Sequence, residues 1–372
     1  MSGPTTPQAK PTAIKKLSES LNRERLERAD ILKKLVLTHR QLAELKGVAA
    51  TIPNQGILIG TLGLQEAKES SAIENIITTQ DELFRTDPLD SHGSAAAKEV
   101  RLYAHALRIG FENVRETGLL TTNHIIGIQK VLEPSRAGYR KVPGTVLKDG
   151  AGRVIYIPLS PDHLSDLMSD LEKFINDESL LEADPLVKMA LIHHQFESIH
   201  PFNDGNGRTG RIINVLHLVK QTLLDIPVLY LSRAIVRTKS DYFDNLQRVR
   251  DSNAWEDWIL HMLDAVQKTA SEGITTIQSI KNLFLEYKHR IRAKHKFYSQ
   301  DLINNLFSFP YTKIEFVQSD LKVSRLTATR YLEELTKDGL LRKRKFGRSN
   351  YYINEPLFQI LTGEMPPPGD EQ

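Results

Sequence analysis

His200-Pro201-Phe202-Asn203-Asp204-Gly205-Asn206-Gly207-Arg208-Thr209-Gly210-Arg211 is the stretch on which the reading of this sequence turns. Proline disfavours helix at the residue before it, so the helix preceding Pro201 is expected to end at His200. Gly205 and Gly207 flank Asn206, and such a turn can aim several backbone N–H groups into one concavity. A helix starting at Gly207 adds the positive end of its dipole, which completes a general recipe for holding phosphate. Arg208 and Arg211 fall close to one helical face and offer planar, bidentate donors to further phosphates. Asp204 supplies the hard carboxylate oxygen that phosphate-bound Mg²⁺ requires. His200, with an ordinary pKa of about 6.5, suits proton removal from a hydroxyl. Any one of these residues alone fits a helix-capping loop with incidental charges, but the combination at these spacings does not. It is not the G-x-x-x-x-G-K-[ST] phosphate loop. His193 and His194 do not have the H-E-x-x-H spacing of a zinc site, and Glu197 does not supply it. They read as helix residues that pack or face solvent.

Outward from this loop the pattern is helical. Asp184 before Pro185, and Ser160 before Pro161, mark helix starts at 185–196 and 161–177. Helices are predicted over 207–224, 239–250 and 255–280. Upstream they are predicted over 95–116 and 122–132, and over 14–49 in two pieces. Pro53, Asn54 and Gly56 place a loop at 50–60, with a helix from Leu64 to Ile77 after it. Asp87 to Gly93 reads as a mobile loop. Asp149–Gly150 between β-prone runs predicts a hairpin across 138–157, the only convincing strand pair in the first two-thirds of the chain. It is either a flap with a task or a surface loop without one. Near the C-terminus, helices at 315–321 and 324–337 precede strands at 341–345 and 351–353, the order of a winged helix.

With 372 residues, two or three domains are expected, and 40% hydrophobic residues suffice for real cores. There is no cysteine, which excludes disulfides and cysteine–metal sites and fits a reducing compartment. No apolar signal region opens the chain and no long apolar run follows, so a cytoplasmic protein with no membrane contact is expected. The net charge of +3 does not announce a nucleic-acid binder. The basic residues that matter cluster near the C-terminus.

The loop matches H-P-F-x-x-G-N-G-R-x-x-R at every defined position and resembles the signature of the Fic family of protein adenylyltransferases. The resemblance implies a mainly helical Fic core with a β-hairpin flap, placed over 119–290, together with a C-terminal winged-helix domain over 300–360. A helical region at 14–118 precedes the core, with disordered ends at 1–13 and 361–372. The implied activity is transfer of AMP from ATP to Ser, Thr or Tyr hydroxyls of a target protein, or of the enzyme itself. His200 would be the base, and Asp204 would hold Mg²⁺. Gly205, Asn206 and Gly207 would cradle the α-phosphate region. Arg208 and Arg211 would take the outer phosphates, with Thr209 in the same ATP-binding loop. Phe202 would anchor the loop, and Tyr242 and Arg250 would lie near the adenosine. Val154, Ile155, Tyr156 and Ile157 would form the flap strand that receives an extended target segment. AMP removal, or transfer of another phosphate-containing group, is the alternative within this fold.

Ser70-Ser71-Ala72-Ile73-Glu74-Asn75 matches the family's inhibitory pattern [S/T]-x-x-x-E-[G/N]. On a helix Ser70 and Glu74 share a face, which an ordinary polar stripe would also do. The resemblance implies that Glu74 pairs with Arg211 and misplaces ATP, a brake that dimerisation of the chain could tighten or release. In the C-terminal region Arg325, Thr327, Thr329 and Arg330 could meet a DNA groove. Arg342, Lys343, Arg344, Lys345 and Arg348 would charge the wing. A pure DNA-binding regulator is the alternative of a different class, and packing or dimer contacts are the third use of such a module.

Overall fold

The computed structural model describes residues 21, 23–85, 93–148 and 152–366. The expected arm at 1–13, the Asp149–Gly150 turn, positions 87–92 of the predicted loop and the last six residues of the tail lie outside these. The fold is mostly helical, and its described residues fall into two compact units. One unit is drawn from 1–40, 105–227 and 231–268, the other from 41–104, 228–230 and 269–372.

At the centre of the first unit are α8 (Pro185–Ile199) and α9 (Asn206–Lys220). Every residue of α8 from Leu186 onward is buried, as is every residue of α9 from Arg208 to Leu218. A helix enclosed on all sides needs apolar residues all round and close neighbours. Asp184 caps α8 by accepting from the Leu186 N–H, with Pro185 in the first turn. The helices run antiparallel. His217 near the end of α9 bonds the Pro185 carbonyl at 3.1 Å, while Gly210 near its start faces Phe196, His193 and Glu197. Around this pair lie α6 (Thr122–Leu132), α7 (Leu164–Asn176), α10 (Ser232–Arg237) and α11 (Lys239–Ser252). Thr121 and His124 form a capping box at the start of α6. The predicted start at Pro161 is a short 3₁₀ turn, Pro161–His163, and α7 begins one residue later.

The predicted hairpin is present but short: β1 (Leu147–Lys148) pairs antiparallel with β2 (Val154–Tyr156) across an irregular register. Val142 and Val146, read as strand residues, are exposed and lie outside β1 and β2, Val146 directly before β1. The break expected in the first helix falls between α1 (Arg23–Leu26) and α2 (Ala29–Ala50).

In the second unit α3 (Gln55–Ile73) starts earlier and ends earlier than the predicted 64–77. Asn54 accepts from the Gly56 N–H and caps it, and Ile57 and Leu58 are buried, so the loop at 50–60 shrinks to 51–54. After α4 (Gln80–Arg85) come α5 (Ala95–Thr117) and α12 (Trp255–Lys294), whose residues are divided between the two units. The latter runs well beyond Ile280, because Leu283, Phe284, Tyr287 and Ile291 continue its buried stripe. Then follow α13 (Gln300–Ser308), β3 (Tyr311–Thr312), α14 (Ile314–Leu321), α15 (Arg325–Lys337), β4 (Arg342–Phe346), β5 (Ser349–Ile353) and α16 (Glu355–Thr362). The three strands form an antiparallel sheet in the order β3-β5-β4. Phe84 of α4 meets Phe309, Tyr311 and Phe358, and the Tyr311 hydroxyl donates to Asp81 at 2.7 Å. Among the described residues no helix is long and apolar enough to cross a membrane.

The closeness of α8 and α9 rests on Gly210. A Cβ there would sit 2.7 Å from the Glu197 carboxylate, 3.1 Å from the Phe196 ring and 3.3 Å from His193. Gly63, in α3, has nothing within 4 Å of such a Cβ. Gly210→Ala is expected to cost about 1–3 kcal/mol of stability through overpacking. Gly63→Ala is expected to be neutral or to gain about 0.5–1 kcal/mol through helix entropy. Denaturant unfolding of both variants checks this, and equal effects would contradict it.

Candidate active site

His200 caps α8 in the left-handed region, with φ 49° and ψ 58°, and its N–H donates to the Phe196 carbonyl at 3.0 Å. A non-glycine residue there costs on the order of 1 kcal/mol or more and persists only where its surroundings hold it. The surroundings do so here. The Phe202 side chain is fully buried against Phe196 and Tyr139. The Asn206 side chain closes the turn at both ends, accepting from the Phe202 N–H and donating to the Phe202 carbonyl, each at 2.9 Å. Asn206 therefore shapes the loop. Gly205 is left-handed, and a Cβ would press on Glu133 at 3.3 Å. Helix α9 begins at Asn206, so the N–H groups of its first turn, with half-buried Gly207 among them, open onto the loop.

Charge is gathered at this helix start. Arg208 is buried and pairs with Glu133 at 2.6 Å. Arg211 is 1% exposed. The Asp204 carboxylate is 48% exposed, 3.5 Å from Arg136 and 3.8 Å from Arg208, and it also accepts from the Gly205 N–H. No cluster of three or more His, Cys, Asp or Glu able to hold a metal ion occurs among the described residues. One half-exposed carboxylate at a phosphate cradle still fits Mg²⁺, which binds through one or two carboxylates and completes its shell with substrate phosphates and water.

Three expected ATP contacts are corrected. Thr209 is fully buried, and its side chain is not presented at the loop surface. Tyr242 is 1% exposed, and its hydroxyl is bonded to His193 Nε2 at 2.7 Å within a cluster with Trp258 and His261. An aromatic ring enclosed in this way is core, with its polar tip satisfied. Arg250 lies 4.1 Å above the Tyr156 ring and donates to Ser198 Oγ at 3.2 Å, and its burial lowers its pKa. It is a link between strand β2 and the end of α8. Tyr156 shares that link, its hydroxyl donating to the Ser198 carbonyl at 2.8 Å. Val154 is exposed on the same strand, while Ile155 and Ile157 are half-buried. His193 and His194 are core residues, buried rather than facing solvent.

Sequence reading missed Glu133, Tyr139 and Arg140. Tyr139 makes an antiparallel bridge to Phe202, and Arg140 bonds the carbonyls of His200 and Pro201. Gln129, also missed, is buried and joins Gly138, Arg136 and Asp204 through three hydrogen bonds. The one available signal was their position beside the predicted hairpin.

In the second unit Ser70 and Ser71 are fully buried near the end of α3. Glu74 does not continue the helix: it is the C-cap, and Asn75 takes the left-handed conformation (φ 62°) that stops it. The expected helical face shared by Ser70 and Glu74 therefore ends at a turn.

Three family models match the chain. The Fic/DOC family N-terminal model covers residues 32–112, the Fic/DOC family model 119–218, and the C-terminal domain of protein adenylyltransferase SoFic-like 283–357. The chain thus carries Fic/DOC family domains over these residues. It is 33% identical over 137 residues to protein adenylyltransferase fic-1 of Caenorhabditis elegans, a match covering 34% of this chain and 25% of that protein. The corresponding protein of Caenorhabditis briggsae is 30% identical over 132 residues, covering 33% and 24%. The chain thus spans about a quarter of the length of these curated relatives. Among solved structures, a Fic family protein from Desulfovibrio desulfuricans has the same fold, with a TM-score of 0.54 and 20% identity over 86% of this chain and 95% of that one.

Burial pushes His193 and His194 down to about 3 and His217 to about 4. These histidines are neutral when folded and protonate in the unfolded chain near its ordinary 6.5. Stability is therefore full above about pH 6.5 and is lost as the pH falls below it, by about 2 kcal/mol per histidine at pH 5. Urea unfolding at pH 7 and pH 5 is expected to show a lower midpoint at pH 5, and His217→Gln to narrow the gap. Identical midpoints would contradict the burial of neutral histidines.

Proposed function

We propose that this protein is an adenylyltransferase that moves AMP from ATP to a hydroxyl of a target protein, with its own surface as a further acceptor. The observation that carries this reading is the single tight turn that joins His200, at the end of α8, to the start of α9, with Asp204 and Arg208 3.8 Å apart at that start and Arg211 further along the same helix. Names of relatives support it: fic-1 is described as a protein adenylyltransferase.

In this mechanism the His200 imidazole takes the proton of a Ser, Thr or Tyr hydroxyl. The hydroxyl oxygen bonds to the α-phosphorus as the bond to the bridging oxygen breaks, and pyrophosphate leaves. The backbone around Gly205 and Gly207 holds the α-phosphate, and Arg208 and Arg211 hold the outer phosphates. Glu133 fixes Arg208 for that task. Asp204 would hold Mg²⁺, which neutralises phosphate charge when bound. Val154, exposed on β2, offers an edge to an extended target segment.

Glu74, the C-cap of α3, is the brake in this proposal: paired with Arg211 it would displace the nucleotide from in-line geometry. Association of two chains is a route to tightening or releasing it. Label transfer from α-labelled ATP with Mg²⁺ tests the reading. Glu74→Gly is expected to raise incorporation on the order of tenfold or more, the equivalent of about 1.4 kcal/mol, and adding His200→Ala is expected to abolish it. Loss of label from a pre-modified protein, without any incorporation, would favour AMP removal or another phosphate chemistry.

A second reading concerns the C-terminal module, which we read as a winged helix: α13, β3, α14 and α15 precede the β4–β5 hairpin, and the sheet order is β3-β5-β4. Arg325, Arg330, Lys345 and Arg348 are exposed on α15, β4 and the β4–β5 turn, with Arg325 paired to Glu315 at 2.9 Å. Others are already paired with acids: Lys343 with Glu333 at 2.6 Å and Arg344 with Glu355 at 2.8 Å. Duplex DNA is the partner this charge fits. Retention of the intact chain on duplex DNA is expected to fall steeply between 50 and 200 mM salt, roughly tenfold or more, and to be lost in Arg330→Ala with Lys345→Ala. Salt-insensitive retention would leave the module as a packing or dimer surface.

A further inference from the structure

The β1–β2 flap leaves the body at Tyr139–Arg140 and returns to it near Leu159. Arg140 stands at this neck and is only 2% exposed. Among the described residues no carboxylate pairs with it. Its guanidinium is spent on main-chain carbonyls: Nε donates to the His200 carbonyl at 2.9 Å and Nη2 donates to the Leu159 carbonyl. Its own backbone N–H donates to the Pro201 carbonyl at 2.9 Å. Burying a cation without an opposite charge is costly, and desolvation lowers its pKa. Charge-assisted bonds to carbonyls offset that cost. Lysine cannot serve both side-chain carbonyl contacts from one planar fork.

The geometry has a direct consequence for His200. Its ring direction follows from its φ and ψ, and these lie in a region that local preference disfavours. Two consecutive carbonyls, of His200 and Pro201, are both held by Arg140. The same side chain closes the flap neck, while Tyr156 and Arg250 tie the flap strand to Ser198, two residues before His200. We propose that Arg140 is a positioning residue that fixes the backbone of His200 and locks it to the base of the flap. A target segment docked on the strand and the imidazole that deprotonates it are thereby held in one frame. This inference rests on the reading of His200 as the general base.

The test uses the intact chain carrying Arg140→Gln and Arg140→Lys, beside wild type, Glu74→Gly and His200→Ala. AMP transfer is measured in both the wild-type and the Glu74→Gly backgrounds, with hydrogen–deuterium exchange over 196–206 and 154–162. Arg140→Gln is expected to lower kcat about a hundredfold, the effect of a small misplacement of a reacting group, while KM for ATP changes less than about twofold. Exchange is expected to rise in both segments together. Arg140→Lys, which keeps the charge and can reach one carbonyl, is expected to recover part of kcat and to fold if the glutamine variant does not. If His200→Ala abolishes transfer while Arg140→Gln leaves kcat intact, the positioning role is overturned and the base reading stands. If no variant transfers label, the base reading fails. Exchange then decides the clamp alone, and unchanged protection in both segments overturns it.

Discussion

The site depends on a reversed turn between two enclosed helices. Helices α8 and α9 are buried almost throughout, so the six residues between them must turn the chain in little space. Pro201 ends one helix, Gly205 supplies a left-handed step before the next, and Asn206 ties both back to Phe202. Such a closed turn leaves little freedom at His200, and its cost in backbone strain is met by Phe202 burial and by Arg140. In the proposed mechanism, preorganisation of this kind would hold His200, a helix N-terminus and two arginines for the reaction without further movement.

Burial also sets the electrostatics. Arg140, Arg208 and Arg211 are each less than 5% exposed, and all lie within the helical body beneath the loop. Cations in a medium of low effective dielectric act strongly on a nearby anion. They also depress neighbouring histidines, and the Arg211 charge adds to desolvation at His193. Histidine that stays neutral can bond Tyr242 and line the core, which is the role of His193, His194 and His217. His200, by contrast, is half-buried at the end of α8, and it is the histidine to which the proposed mechanism gives proton transfer.

Much of the loop was legible because its chemistry dictates residue types. Proline stops a helix and glycine takes a left-handed step, while the next helix starts at Asn206, one residue before the expected Gly207. The helical body was legible from periodicity, and Asp184–Pro185 from capping. What was not legible was long-range. Arg140 is 60 residues from His200 and Glu133 is 75 from Arg208, and no local pattern links them. Tyr242 was misread because an aromatic residue near a ligand loop and one in the core have the same local sequence. The end of α3 moved because Asn75, tolerant of the left-handed region, outweighed the apolar run that continues to Ile77. The flap's pairing was overestimated because Val142 and Val146 have β-prone side chains but lie outside β1 and β2.

The most direct test of this account is a crystal structure of the chain with ATP and Mg²⁺. The account predicts the α-phosphate against the backbone of Gly205–Gly207, within reach of a hydroxyl held by His200, with Asp204 on the metal and Arg208 on the outer phosphates. A nucleotide bound elsewhere, with the 200–211 loop empty and His200 turned away from any phosphate, would contradict it.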